Sequence, residues 1–226
     1  MERNKRLTEK VKEYCRKVGI DIVGFADTKH YNRFPEENQP QNYLKESQTV
    51  IILGFHLHDI ILDAWNQDQK TDKSFHFADA VLENYCNLVK NFIKKQGYDS
   101  KIISYSPGLF LKDSAALAGI GPIGKNNLLI TEHFGSQVRL RALTTTAPLV
   151  CGTPISESKY CRECNICIES CPAGAFPDGK YNKDICRPYA ISHLRNLSEN
   201  TAIWCNICIE SCPFTKIEYK KNFEKK

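Results

Sequence analysis

Cysteine is the residue type in this sequence whose spacing most directly indicates chemistry. The nine-residue segment CNICIESCP occurs twice, at 164–172 and at 205–213, with no difference between the copies. Cys161 precedes the first copy and completes the spacing C-x2-C-x2-C-x3-C-P. The second copy has no cysteine close on its N-terminal side, but Cys186 lies between the copies as a candidate eighth ligand.

Two-residue gaps between cysteines suit four-iron clusters, and this is the spacing found in bacterial ferredoxins. One tight loop can wrap three corners of a cubane, while the cysteine beside the proline reaches the other cluster. This exchange predicts two 4Fe-4S clusters with four thiolate ligands each. The predicted ligands are Cys161, Cys164, Cys167 and Cys212 for cluster one, and Cys171, Cys186, Cys205 and Cys208 for cluster two.

Zinc and disulfides are the alternative uses of these cysteines. Structural zinc sites usually have separated C-x2-C pairs, not three closely spaced cysteines that end in C-P. The N-terminal segment MERNKRLTEK is charged and no apolar stretch follows it, so we expect no secretory signal and a cytoplasmic location. Disulfides are unfavourable in that reducing compartment. Of the remaining cysteines, Cys15 and Cys86 are expected in the core, and the role of Cys151 stays open.

A second motif is the glycine-rich loop GIGPIGKNN at 119–127, which fits two nucleotide-binding patterns. A dinucleotide fingerprint needs a strand before the glycines and a helix after them. Here the segment 113–118 predicts a helix with Asp113 as its N-cap, and 127–131 predicts a strand, so the order is reversed. A phosphate loop also needs Ser or Thr where Asn126 stands. The sequence therefore favours neither nucleotide site.

These motifs require elements to position them, and the apolar pattern indicates an α+β fold. The predicted helices are an opening helix over 7–18 that Gly19 ends, a long helix over 74–97 and the short helix over 113–118. The predicted strands are 21–27, 49–58, 101–105, 127–131 and 138–146. A segment rich in proline and small polar residues, 147–160, predicts a boundary between domains 1–150 and 151–226. The C-terminal segment KKNFEKK is expected to be a solvated, frayed tail.

Composition excludes a membrane span and gives little support to a nucleic-acid site. Hydrophobic residues make up 42% of the 226 residues and charged residues 25%, without a long apolar run, so we expect a soluble globular protein. The formal net charge is +5 with every cysteine counted as neutral. Eight thiolates around two cluster cores of roughly +2 each would bring it to about +1. A basic surface is therefore not implied.

The glycine loop and the cysteine array together carry a family resemblance. The segments AALAGIGPIGKNNLLIT and FGSQVRLRALTTTAPL, followed by the eight-cysteine segment, resemble the epoxyqueuosine reductases, which are cobalamin-dependent iron–sulfur enzymes related to the reductive dehalogenases. The resemblance covers roughly residues 15 to 215. It implies a corrinoid-type domain of nitroreductase-like topology over 1–150 and a ferredoxin-like module with two clusters over 151–226.

The resemblance also implies roles for individual residues of the glycine loop. The loop residues that would lie near the corrinoid are Gly119, Gly121, Gly124, Lys125 and Asn126. Glycines allow close backbone approach, and Lys125 could meet a phosphate of the cofactor tail. The alternative is a tight structural turn with a solvated lysine. The two isolated histidines of one extended segment, His56 and His58, form no recognisable motif for ligating cobalt.

This chain departs from the family pattern in two respects. Epoxyqueuosine reductases carry a C-terminal helical-repeat extension associated with tRNA, whereas this chain ends soon after Cys212, so we expect a small-molecule substrate and not tRNA. Their aspartate proton donor stands about fourteen residues before the first loop glycine, a position that Tyr105 occupies here. The related dehalogenases employ a tyrosine. Tyr105 is therefore the predicted catalytic residue.

Two hypotheses of function follow. In the first, electrons from a donor pass through the clusters to a corrinoid, whose low-valent cobalt then reduces an organic substrate. In the second, the chain is a ferredoxin-type electron carrier without catalytic activity that supplies a partner enzyme.

Overall fold

The structure is a computed structural model that describes residues 2–68 and 73–216. The helices of this part of the chain are α1 (Lys5–Lys17), α2 (Pro40–Tyr43), α3 (Phe77–Lys95), α4 (Leu111–Leu117), α5 (Ile166–Glu169), α6 (Lys183–Ser192) and α7 (Ile207–Glu210). Its strands are β1 (Ile22–Asp27), β2 (Thr49–His56), β3 (Trp65–Asp68), β4 (Lys73–His76), β5 (Ser100–Ile102), β6 (Val138–Thr145), β7 (Arg195–Ser198) and β8 (Thr201–Ile203). The predicted tail KKNFEKK lies outside the described residues.

The chain folds into two compact units, and each unit is assembled from separated segments. Unit 1 comprises the chain up to Phe55 with Val81–Pro122 and Arg139–Ser156. Unit 2 comprises the described residues of His56–Ala80 and Ile123–Val138, together with the described residues from Glu157 onward. The two cofactor domains expected on either side of residue 150 stay a prediction.

Unit 1 contains a four-stranded sheet with the order β1-β2-β6-β5. Strands β1 and β2 pair antiparallel with Phe25 opposite Ile51, and β5 and β6 pair antiparallel with Ile102 opposite Leu143. Apolar residues from α1, α3 and the sheet form one core cluster, because both helices are amphipathic. The predictions of α1, α3, β1, β2 and β6 are confirmed within a few residues at their ends. The expected burial of Cys15 and Cys86 in this core is confirmed as well.

Unit 2 contains a second four-stranded sheet, with the order β4-β3-β8-β7 and antiparallel neighbours. Trp65 of β3 lies opposite Ala202 of β8, and its indole ring stacks on that of Trp204 at 5.4 Å between centroids. Strand β8 ends at Ile203, two residues before Cys205 begins the second copy of the cysteine repeat. The sequence did not predict this sheet, because each strand has only three or four residues and shows no clear periodicity.

Three local predictions are wrong, and the start of one confirmed helix is shifted. The long helix begins at Phe77 and not at Ser74, because Lys73–His76 pair with β3. Asp113 is not an N-cap, since α4 begins at Leu111 and Asp113 lies in its first turn. The segment 127–131 forms two isolated bridges instead of a strand, after a turn in which Asn127 has φ of 58°. Strand β5 ends at Ile102, so Tyr105 lies beyond it.

The described residues form a mixed α/β structure with two sheets, which agrees with the α+β class expected from the sequence. None of their helices is both long and apolar enough to cross a membrane.

Candidate functional site

The two identical cysteine segments adopt the same local structure in unit 2. Helices α5 and α7 are single turns with the same sequence, Ile-Cys-Ile-Glu, and they pack against each other. Their N-cap residues, Asn165 and Asn206, have φ and ψ of −123° and 10° and of −120° and 15°. The last cysteine of each copy follows the turn and precedes the proline. Local sequence therefore fixes the shape of both loops.

The structure brings four of the predicted ligands to one cavity of unit 2. Its lining residues are Asn126, Ile130, Tyr160, Cys161, Cys164, Cys167, Cys212, Pro213 and Phe214. Burial raises the pKa of the Cys167 thiol, and the nearby thiols of Cys161, Cys212 and Cys164 raise it further. Cys212 of the second copy thus lies among the three cysteines of the first.

A second group of thiols acts on the ionisation of Cys208. Burial raises the pKa of the Cys208 thiol to about 12. The thiols that raise it further are, in order of effect, Cys205, Cys186, Cys167 and Cys171. All three partners predicted for Cys208 are among them, together with Cys167 from the first group. Ligation of iron by either group stays a prediction.

Hydrogen bonds reach the sulfur atoms of the second group. The backbone N–H of Ala175 donates to Sγ of Cys171 at 3.5 Å. Tyr181 forms a side-chain hydrogen bond with Cys186, and burial followed by this contact raises the pKa of the tyrosine to about 12. Cys186 lies in α6, whose N-cap Asn182 accepts the N–H of Asp184 at 2.8 Å. Hydrogen bonds to cluster sulfurs are one means of setting a reduction potential.

The thiol arrangement fits iron–sulfur clusters in its ligand chemistry. In the described residues, no three His, Cys, Asp or Glu side chains are grouped as ligands of one metal ion. Thiolates bind a four-iron cluster through one iron atom each, so the chemistry of this donor set suits such clusters.

The glycine loop 119–127 contributes residues to both units. In unit 1, Gly119 follows α4 with φ of 73°, and a Cβ there would lie 2.8 Å from the carbonyl oxygen of Thr153. Gly121 is buried. In unit 2, Lys125 and Asn126 make hydrogen bonds to the cysteine loops. Contact of this loop with a corrinoid stays a prediction.

The predicted proton donor, Tyr105, lies in unit 1 with 43% of its surface exposed. It belongs to a turn held by Asn38, whose Nδ2 donates to the carbonyl oxygens of Gly108 at 2.7 Å and Pro107 at 3.2 Å. The guanidinium carbon of Arg141 stands 3.9 Å from the centroid of the Tyr105 ring. Arg141 was not among the residues predicted from the sequence, although a charged residue inside the apolar strand pattern 138–146 was a usable signal.

Two further features outside these groups were left open by the sequence. The His56 and His58 rings lie 4.2 Å apart, and His56 also stacks on Phe134 at 4.2 Å. Cys151 is half-buried and donates from Sγ to the carbonyl oxygen of Leu149 at 3.4 Å. Burial raises the pKa of the Cys151 thiol, which is not the property of a reactive thiolate.

Comparison with known proteins identifies a class of reductases, although no protein-family model matches the chain. The epoxyqueuosine reductase of Listeria monocytogenes is 32% identical over 165 residues, which are 68% of this chain and 43% of that protein. The tetrachloroethene reductive dehalogenase of Dehalobacter restrictus is 29% identical over 138 residues, which are 56% of this chain and 25% of that protein. The chain is therefore similar in sequence to both groups, but it spans less than half the length of these relatives.

Superposition on solved structures finds a similar fold in the same two groups, the epoxyqueuosine reductases and the reductive dehalogenases. An epoxyqueuosine reductase solved with an epoxyqueuosine-modified tRNA-Tyr stem loop superposes with a TM-score of 0.72 and 23% identity, covering 93% of this chain and 66% of the other. A reductive dehalogenase described with a mechanism for B12-dependent dehalogenation superposes with a TM-score of 0.69 and 15% identity, covering 93% and 32%. The expected resemblance to epoxyqueuosine reductases, with reductive dehalogenases as further relatives, is confirmed.

Proposed function

We propose that this protein is an iron–sulfur reductase that uses two 4Fe-4S clusters and a corrinoid to reduce an organic substrate. The observation that carries the proposal is the grouping of the eight cysteines, in which Cys212 lies with the first copy and Cys186 with the second. Sequence similarity to two groups of reductases supports the reaction class. In this proposal residues 1–150 form a nitroreductase-like corrinoid domain and 151–226 a ferredoxin-like module.

The cysteine thiolates would hold the clusters, and the glycine loop would meet the corrinoid. When bound, the clusters would supply one-electron transfer and the corrinoid would supply a reducing cobalt centre. Lys125 retains the capacity to bind a phosphate of the cofactor tail, because an ammonium group has three N–H donors and two acceptors are bonded to it here. The B12-dependent dehalogenase of the same fold supports the choice of corrinoid.

Tyr105 would donate a proton from its phenolic oxygen to the reduced substrate. Reduction at carbon leaves a basic centre that must be protonated, and a positioned side chain contributes typically 10²–10⁴-fold to such a step. The Arg141 cation, 3.9 Å from the ring centroid, would stabilise the phenolate that remains. The hydrogen bonds from Asn38 hold the turn beside Tyr105 in place.

Two classes of substrate are consistent with the relatives of this protein. The sequence favours a small-molecule substrate over tRNA, whereas a relative of the same fold has been solved with a modified tRNA stem loop. We therefore propose an epoxide borne on a nucleoside as the first substrate to test and a small halogenated organic compound as the second.

Cofactor retention separates the reductase from the electron carrier. Protein reconstituted anaerobically with iron and sulfide should be incubated with cobalamin and then desalted. We expect about eight iron atoms per chain and a retained corrinoid absorption spectrum. Retention of iron without corrinoid would favour the electron carrier over the enzyme.

A turnover assay then separates the substrates. The loaded protein and a low-potential chemical reductant are incubated with an epoxyqueuosine-modified tRNA stem loop or with a halogenated phenol, and products are identified by mass spectrometry. Conversion of the stem loop would show that the protein has epoxyqueuosine reductase activity. Release of halide alone would favour the dehalogenase reaction, and absence of both products in a corrinoid-loaded sample would contradict these substrates.

A further inference from the structure

Lys125 is fastened to the loop that carries the first three cysteines. Its Nζ donates to Oδ1 of Asn165 at 2.8 Å and to the carbonyl oxygen of Arg162 at 3.3 Å. Arg162 lies between Cys161 and Cys164, and Asn165 lies directly after Cys164. The Lys125 ammonium group therefore bonds both to the segment between Cys161 and Cys164 and to the segment between Cys164 and Cys167.

Asn126, the next residue, contacts the other copy of the repeat. Its Nδ2 donates to the carbonyl oxygen of Cys208 at 3.4 Å, and the side chain lines the cavity of the first cysteine group. Only 4% of Asn126 is exposed. Two consecutive residues thus bond to the two copies, Lys125 to the first and Asn126 to the second.

The tight turn at Gly124 makes this arrangement possible. The backbone N–H of Gly124 donates to the carbonyl oxygen of Leu128 at 2.8 Å, and that of Leu128 donates to Oδ1 of Asn126 at 3.1 Å. A Cβ at position 124 would lie 2.9 Å from Oδ1 of Asn126, so glycine leaves the space that the amide occupies. The turn therefore holds the Asn126 amide in the position from which its Nδ2 bonds to Cys208.

We propose that Lys125 and Asn126 are positioning residues that hold the two cysteine loops in register, and that the Lys125 ammonium raises the reduction potential of cluster one. This inference rests on the two clusters of the proposed function. Reduction adds a negative charge to a cluster, and a nearby cation stabilises the reduced form. Asn126 is uncharged and donates a hydrogen bond to the second loop. Its role is to maintain geometry and not to add charge.

Redox titration monitored by electron paramagnetic resonance tests the electrostatic part. In Lys125→Gln, we expect the midpoint potential of cluster one to fall by about 59 mV, which is a tenfold change in a one-electron equilibrium constant. Lys125→Arg keeps the charge and should shift the potential much less. Lys101→Gln removes one positive charge from strand β5 of unit 1 and is the matched control. An unchanged potential in Lys125→Gln relative to Lys101→Gln would overturn this part.

Iron content and spin coupling test the positioning part. In Asn126→Leu, we expect both clusters to assemble but the magnetic interaction between the reduced clusters to change, because the bond to Cys208 is lost. Loss of cluster one alone in Lys125→Gln, with retention in Lys125→Arg, would also support positioning. Equal loss of both clusters in Lys125→Gln, or unchanged coupling in Asn126→Leu, would contradict it. Failure of the unmodified protein to assemble clusters would instead contradict the proposed function.

Discussion

Arg141 stands within strand β6, where a charged side chain costs free energy unless partners compensate it. Only 7% of this residue is exposed. Its Nη2 lies 3.7 Å from Oε2 of Glu83, and its guanidinium group covers the ring of Tyr105. The cation thus lies where it would stabilise a phenolate at Tyr105, the species that the proposed role as proton donor would generate.

Replacement of the Tyr105 hydroxyl tests that role. In Tyr105→Phe, we expect turnover of an identified substrate to fall by about 10²-fold or more, because the general acid is lost. Iron content and corrinoid retention should stay unchanged, since the ring remains. Tyr43→Phe, which removes a hydroxyl bonded to the carbonyl oxygen of Glu37, is the matched control. An undiminished rate in Tyr105→Phe would assign the proton donor to another group.

Replacement of Cys186 tests the predicted exchange of cluster ligands between the two cysteine segments. In Cys186→Ser, we expect iron to fall from about eight to about four atoms per chain, because cluster two loses a thiolate while cluster one keeps all four. Cys151→Ser is the matched control and should keep its iron. An unaltered iron content in Cys186→Ser would show that Cys186 is not a ligand. A structure with Cys212 on the same cluster as Cys205 and Cys208 would contradict the exchange.

At the scale of elements, glycines follow two of the helices at the start of the next loop. Gly19 follows α1 and Gly119 follows α4, with φ of 79° and 73°. A Cβ at Gly19 would meet nothing within 4 Å, whereas one at Gly119 would lie 2.8 Å from the carbonyl oxygen of Thr153. The start of the glycine loop thus requires glycine for two reasons, its backbone conformation and its close approach to another segment.

This difference predicts unequal costs of the same substitution. We expect Gly19→Ala to lower the free energy of unfolding by about 1 kcal/mol, the cost of a left-handed backbone for a residue with Cβ. Gly119→Ala should lower it by about 2 kcal/mol or more, because steric overlap with Thr153 is added. Urea denaturation measures both variants. Equal losses would show that the backbone near Thr153 relaxes without cost.

At the scale of the whole molecule, the core of unit 1 contains two thiols that take no part in the proposed chemistry. Cys15 and Cys86 are completely buried, and burial raises the pKa of each thiol from 9.0 to about 12. Because the folded pKa is above the unfolded value, the native state holds these protons more tightly. Their contribution to stability is complete below pH 9 and is lost as pH rises towards 12.

Cys15→Ala tests this linkage. Between pH 9 and pH 11, we expect the free energy of unfolding of the unmodified protein to decline more steeply than that of the variant. The difference in slope should approach about 1.4 kcal/mol per pH unit for one group. The cavity left by the substitution lowers stability at every pH, so the slope and not the absolute value is the readout. Parallel curves would mean that Cys15 ionises equally in both states.

The sequence alone determined the features that depend on local pattern. Helices α1 and α3 and strands β1, β2 and β6 were predicted because long apolar periodicities report which face is buried. The eight candidate ligands were found because cluster chemistry requires a fixed spacing along the chain. The short strands of unit 2 were missed, since three or four residues carry too little periodicity.

Only the tertiary structure decided which distant side chains stand beside those patterns. Arg141 is 36 positions from Tyr105 in sequence, and Lys125 is 40 positions from Asn165 and 37 from Arg162. No local spacing encodes such contacts, because they depend on the path of the chain between the two positions. Residues that adjust a site from outside its motif are therefore visible in the folded molecule and not in the motif. The motif residues themselves were visible in the sequence, because bond geometry within one loop fixes their spacing.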